Sequence, residues 1–151
     1  MNKFIIHTTP TVCLLTLLLY LSSSTIAQQA GKIISSEEAN SNFGPVGQVT
    51  LISKSFLETL LKQAGQLIMF RVTESGLIIL DEKRNVLFPQ SKEIKVNKED
   101  VFIVYSSSVV YDLLNRGEGT SLNIEQRAEV LSISFGLSTL EFGQMCPPFC
   151  N

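Results

Sequence analysis

The feature that most constrains this chain is an apolar run near its start, Thr11-Val12-Cys13-Leu14-Leu15-Thr16-Leu17-Leu18-Leu19-Tyr20-Leu21. It follows the basic Met1-Asn2-Lys3 and falls short of the roughly 20 apolar residues needed to span a bilayer. Ser22-Ser23-Ser24 comes next, and Thr25-Ile26-Ala27 places small residues at the two positions a signal peptidase reads. Charge, apolar run and small-residue exit together predict a signal peptide over residues 1–27, cut between Ala27 and Gln28. An uncleaved anchor would need Phe4 to Ile26 to be continuous, and His7-Thr8-Thr9-Pro10 interrupts it. A lipoprotein would carry its Cys after the run, whereas Cys13 stands near the front of it. Only residues 28–151 then remain to fold, which is one ordinary domain with no membrane span.

Removal of that segment changes the chemistry left in the chain. His7 is the only His, so the mature protein has no imidazole, and it has no Trp. Ser-His-Asp and Cys-His catalysis and His-based zinc sites are thereby excluded. Lys3 also leaves, taking the formal net charge from −2 to −3. Neither a nucleic-acid surface nor a polybasic membrane patch is expected, and no cofactor motif is present. Cys13 goes too, leaving Cys146 and Cys150, and an even count in an exported chain predicts that they pair. The signal has a bacterial style, which points to the periplasm or the medium.

Hydrophobic periodicity gives a mixed reading. Residues 28–47 are polar and loop-like, with Phe43-Gly44-Pro45 as punctuation, and are expected to be a flexible lead-in with Phe43 tucked onto the domain. Val49 to Ile52 is β-prone. Ser55-Phe56-Leu57-Glu58 has capping-box spacing, and Phe56, Leu57, Leu60, Leu61 and Ala64 recur at helical intervals before Gly65. An amphipathic helix is predicted over about 55–64.

Leu67–Val72 and Leu77–Leu80 around Thr73-Glu74-Ser75-Gly76 read as a β-hairpin, and the unbroken second run suggests two covered faces. Val86–Phe88, a weak Glu93–Val96 and Val101–Tyr105 read as further strands. A second, shorter helix is read over 109–115, against the β-branched Val109 and Val110. Ile124, Ala128 and Leu131 fit a helix, while Leu131, Ile133, Phe135 and Leu137 alternate like a strand, and a bulge or bend is expected near 136–139. No internal repeat is visible. The expectation is a small α+β domain over 48–143, mainly antiparallel sheet, followed by a tail over 144–151.

That tail, Met145-Cys146-Pro147-Pro148-Phe149-Cys150, is the only motif with chemistry in it. A structural disulfide clip is the plain reading. Soft-metal binding is the rival, since two thiolates and the Met145 thioether suit Cu(I). A redox dithiol would have two intervening residues, not three. Asp81, Glu82, Glu99 and Asp100 form a second group, and converging carboxylates would allow a His-free hydrolase. Arg116-Gly117-Glu118-Gly119-Thr120 lacks the Lys of a phosphate loop, and Ser53-Lys54-Ser55 lacks Ser-x-x-Lys spacing. The function expected from these residues is a non-enzymatic exported domain that binds a partner, with a periplasmic thiol or copper-handling protein and the carboxylate hydrolase as alternatives.

Overall fold

The computed structural model describes residues 29–90, 94–128 and 130–147, so the predicted signal peptide and cleavage point lie outside it. Two five-stranded antiparallel sheets and three helices make up an α+β domain. In chain order the elements are β1 (Lys32–Ser35), α1 (Ser36–Phe43), β2 (Gln48–Ser53), α2 (Lys54–Ala64), β3 (Leu67–Thr73), β4 (Gly76–Leu80) and β5 (Val86–Phe88). They continue with β6 (Phe102–Ser106), α3 (Ser107–Arg116), β7 (Ser121–Gln126), β8 (Leu131–Phe135), β9 (Ser138–Glu141) and β10 (Gln144–Cys146). Sheet A has the order β1-β9-β8-β7-β2, and sheet B has β10-β6-β3-β4-β5. Among the described residues no helix is long and apolar enough to cross a membrane.

Helix α2 forms where the periodicity placed it, but its cap is Ser53 rather than Ser55. The Ser53 hydroxyl accepts the Phe56 amide at 3.2 Å, because Ser53 is the last extended residue before the helix. Leu57, Leu60, Leu61 and Ala64 are buried, and each Leu contributes roughly 1.5–3 kcal/mol by leaving water. The helix stops at Gly65, where φ is +82° and the Glu82 carboxylate approaches so closely that a Cβ would collide with it. Helix α3 is longer than expected at both ends. Its β-branched Val109 and Val110 are tolerated because both are buried in the core, so tertiary packing overrides propensity.

The expected hairpin is β3–β4, with Thr73 opposite Gly76. Sheet B is apolar on both faces. Ile68, Phe70, Ile79 and Tyr105 face the main core shared with the helices, while Met69, Leu80, Phe102, Val104 and Cys146 form a second cluster behind. That double burial explains the unbroken apolar run of β4. The 121–135 region resolves into two strands, β7 and β8, and residues 136–137 turn β8 into β9 at Gly136 (φ +62°). The bulge or bend expected near 136–139 is thus a hairpin turn. Residues 94–96 are not in a strand, and Glu93 lies outside the described residues.

Two boundaries need correcting. From residue 29 on, the lead-in expected over 28–47 is not flexible: β1 pairs with β9 through Ile33↔Leu140 and Ile34↔Thr139, and α1 lies on the outer face of sheet A with Ala39 fully buried. The Ser35 hydroxyl caps α1 by accepting the Glu38 amide. Low apolar content misled here because the surface beneath α1 is itself polar. Phe43 does pack on the body, edge-on to Phe142 at 5.3 Å. Likewise the tail begins inside sheet B, since β10 pairs with β6 through Gln144↔Val104 and Cys146↔Phe102.

An internal repeat is present after all. The run β2-α2-β3-β4-β5 has the same topology as β6-α3-β7-β8-β9. Each first strand leaves its own unit and pairs with the second strand of the other: β2 with β7, and β6 with β3. Ser53 corresponds to Ser106, Leu57 to Val110, Leu60 to Leu113 and Leu61 to Leu114, all at one constant offset. The Lys54 amide donates to Thr120 O, and its counterpart, the Ser107 amide, donates to Gln66 O, both at 2.8 Å. Few side chains are identical between the units, so the repeat was invisible as sequence.

Candidate functional site

The outer face of sheet A carries a buried polar network. Alternation along β7, β8 and β9 sends Leu122, Ile124, Ile133, Phe135 and Leu140 into the core and Glu125, Ser132, Ser134, Thr139 and Glu141 outward. Helix α1 covers that outward face. Arg127 lies at the centre with its side chain 1% exposed. Its guanidinium donates to the Glu125 carboxylate (2.8 Å), the Ser132 hydroxyl (3.2 Å), the Asn40 side chain (2.8 Å) and the Gly44 carbonyl. Ser132 in turn donates to Glu141, whose carboxylate lies 3.6 Å from Arg127 Nε. Ser36 and Ser134 both bond Thr139.

One guanidinium therefore faces two buried carboxylates. Burial pushes the Glu141 carboxyl above the usual carboxylate range, against the lowering influence of the Ser132 hydroxyl bond and Arg127, and Glu125 adds to the rise. The second Glu141 oxygen has no hydrogen-bond partner among the described residues. A raised native pKa gives stability that is complete at low pH and is lost as pH rises through that pKa. Glu141→Gln keeps an acceptor for Ser132 and removes the excess charge. Urea unfolding should then show wild type losing stability relative to Glu141→Gln as pH rises through the raised Glu141 pKa, and parallel profiles would refute the assignment.

The sequence-predicted residues fall elsewhere. Met145 and Cys146 are neighbours on β10 and so point to opposite faces, Met145 54% exposed and Cys146 buried. One ion at the strand could not take both side chains. Cys150 lies outside the described residues. Cys146 is engaged, not free, and its sulfur accepts from Arg84 Nη1 at 3.2 Å. Arg84 also donates to Asn97 O and Asp100 O and stacks over Phe102 at 5.2 Å, tying the 97–100 turn to sheet B.

The acidic residues are occupied separately. Asp81 accepts the Lys83 and Asn85 amides, and Glu82 accepts the Gln66 amide. Asp100 accepts the Asn97 amide and pairs with Arg71 at 2.7 Å, which holds its carboxyl below the usual range. Glu99 is exposed. Asp81, Glu82 and Asp100 are each held by separate partners, and the four carboxylates do not share one. The cleft between the sheets, lined by Phe70, Arg71, Ile103 and Leu131, has about 130 Å³. Sites for small organic ligands run to roughly 300–1,000 Å³. The buried Tyr105 donates its hydroxyl to Leu131 O, one of the lining residues.

Among the described residues, strand β2 remains open. Val49 and Leu51 lie 50% and 71% exposed on the outer face of sheet A, beside Glu125 and Asn123, beyond the cover of α1. No protein-family model, curated protein or solved structure matches the chain.

Proposed function

We propose that this protein is exported, is not an enzyme, and works by binding a protein partner outside the cytoplasm. The observation that carries the reading is the exposed aliphatic pair Val49 and Leu51 on a sheet-edge strand. Such strands offer backbone hydrogen bonds and side-chain contacts together, which is how extended partners are recognised. The commitment of Asp81, Glu82 and Asp100 to backbone amides supports a binding role over hydrolysis. The Cys146–Cys150 disulfide belongs to the same reading, as a clip on the tail that extends β10. Under non-reducing conditions the intact mass of the exported protein should start at Gln28 and be about 2 Da below the dithiol value. Retention of Met1 would overturn export, and stable Cu(I) uptake would overturn the clip.

A photo-crosslinking residue at position 51, expressed in the native cell, tests the binding role. It should yield a discrete adduct that the same probe at Glu118, on the exposed loop after α3, does not. No adduct at position 51 would refute a partner on this face.

A further inference from the structure

We infer that the partner strand on β2 is β2 of a second copy of this chain, paired antiparallel about a twofold axis through Thr50. This rests on the reading of β2 as a binding edge, and the internal repeat shows what such an edge is built to receive. The Lys54 amide bonds Thr120 O, so Ile52, Thr50 and Gln48 direct their backbone groups to β7. Val49, Leu51 and Ser53 then direct theirs to the open side. Their counterparts in the other half are Phe102, Val104 and Ser106. There β10 pairs with Phe102 and Val104, and the Ser106 amide donates to Ala30 O at 2.9 Å. Phe102 and Val104 are 1% exposed where Val49 and Leu51 are largely bare. The same position in the repeat is thus strand-covered in sheet B and, among the described residues, uncovered in sheet A.

The four sheet edges also differ in how they are defended. β1 carries Lys32, while β5 and β10 have only three residues each and run into Pro89 and Pro147. Charge, brevity and proline are the usual blocks to edge pairing. β2 has none of these: it is Gln48-Val49-Thr50-Leu51-Ile52-Ser53, uncharged, proline-free and in unbroken register with β7.

A second copy fits because antiparallel strands are related by a twofold axis, so one edge can serve both sides. With the axis at Thr50, Val49 stands opposite Leu51 of the other copy, and Leu51 opposite its Val49. Both pairs use the outward backbone groups, and all four aliphatic side chains share one face. No like charges meet along the strand. The product is a continuous ten-stranded sheet.

Light scattering on the exported protein, at concentrations up to about 100 µM because an edge-only interface is small, should give twice the chain mass. Leu51→Lys should return it to the monomer mass with an unchanged far-UV spectrum, whereas Leu137→Lys, in the β8–β9 turn, should not. Thr50→Cys should form an inter-copy disulfide on oxidation, because facing residues of a non-hydrogen-bonded pair lie about 4.5 Å apart at Cα. A monomer throughout would overturn the inference; if the position-51 probe still forms an adduct with another protein in cells, the binding role survives without it. A dimer that tolerates Leu51→Lys and gives no Thr50→Cys cross-link would also overturn it.

Discussion

Arg127→Met should lower the unfolding free energy by about 3–5 kcal/mol, because it leaves two buried carboxylates without their cation. Met approximates the stem of Arg, so the loss is electrostatic more than steric. Glu125 loses its 2.8 Å ion pair, Asn40 and Gly44 O lose their donor, and Ser132 keeps only Glu141. The bonds to Asn40 and Gly44 join α1 to sheet A, so hydrogen exchange in residues 29–43 should quicken more than in α2. Guanidinium chloride unfolding checks the total. Arg127→Met combined with Glu141→Leu should regain part of the loss, since removing a charge together with its partner costs less than stranding one. A loss under 1 kcal/mol for Arg127→Met would mean that water reaches the network.

Leu60→Ala and Leu113→Ala should each cost about 2–5 kcal/mol, through lost transfer energy and the cavity left behind. Both residues are essentially inaccessible, at 1% and 0%. They occupy equivalent places in the repeat, on helices that each carry the chain from one sheet to the other and that pack on one another in a single core. The two losses should therefore be similar, and the double variant should depart from additivity because the sites share neighbours. Thermal and urea unfolding of the three variants would measure this. A large loss at Leu60 with almost none at Leu113 would mean that the second unit packs more loosely than its burial suggests.

Much of the interior could be read from residue order. Helix α2 followed from Leu57, Leu60, Leu61 and Ala64 at helical spacing, and the β3–β4 hairpin from two apolar runs about a Gly-containing turn. These succeed because the signal is local: neighbours in sequence meet the same core. Segment 28–47 failed because its worth depends on a distant surface. Two polar side chains of α1 meet partners far along the chain: Asn40 accepts from Arg127, and Ser36 bonds Thr139. Arg127 carries no local signal in the sequence: β7 and β8 turn its polar neighbours outward only once they are strands, and nothing nearby along the chain announces the helix that covers them.

The repeat was hidden for a related reason. Burial and capping repeat at a constant interval while residue identity does not, so two units that exchange strands leave no motif to match. By itself the sequence determined an α+β domain, the core face of α2, the hairpin and the absence of His after residue 7. Periodicity and composition carry that information without reference to any partner segment. The tertiary structure alone decided that the lead-in is part of sheet A, that Met145 and Cys146 diverge, and that β2 ends a sheet with Val49 and Leu51 uncovered among the described residues. Each of these depends on which distant strand lies alongside, and pairing between strands is set by the whole chain.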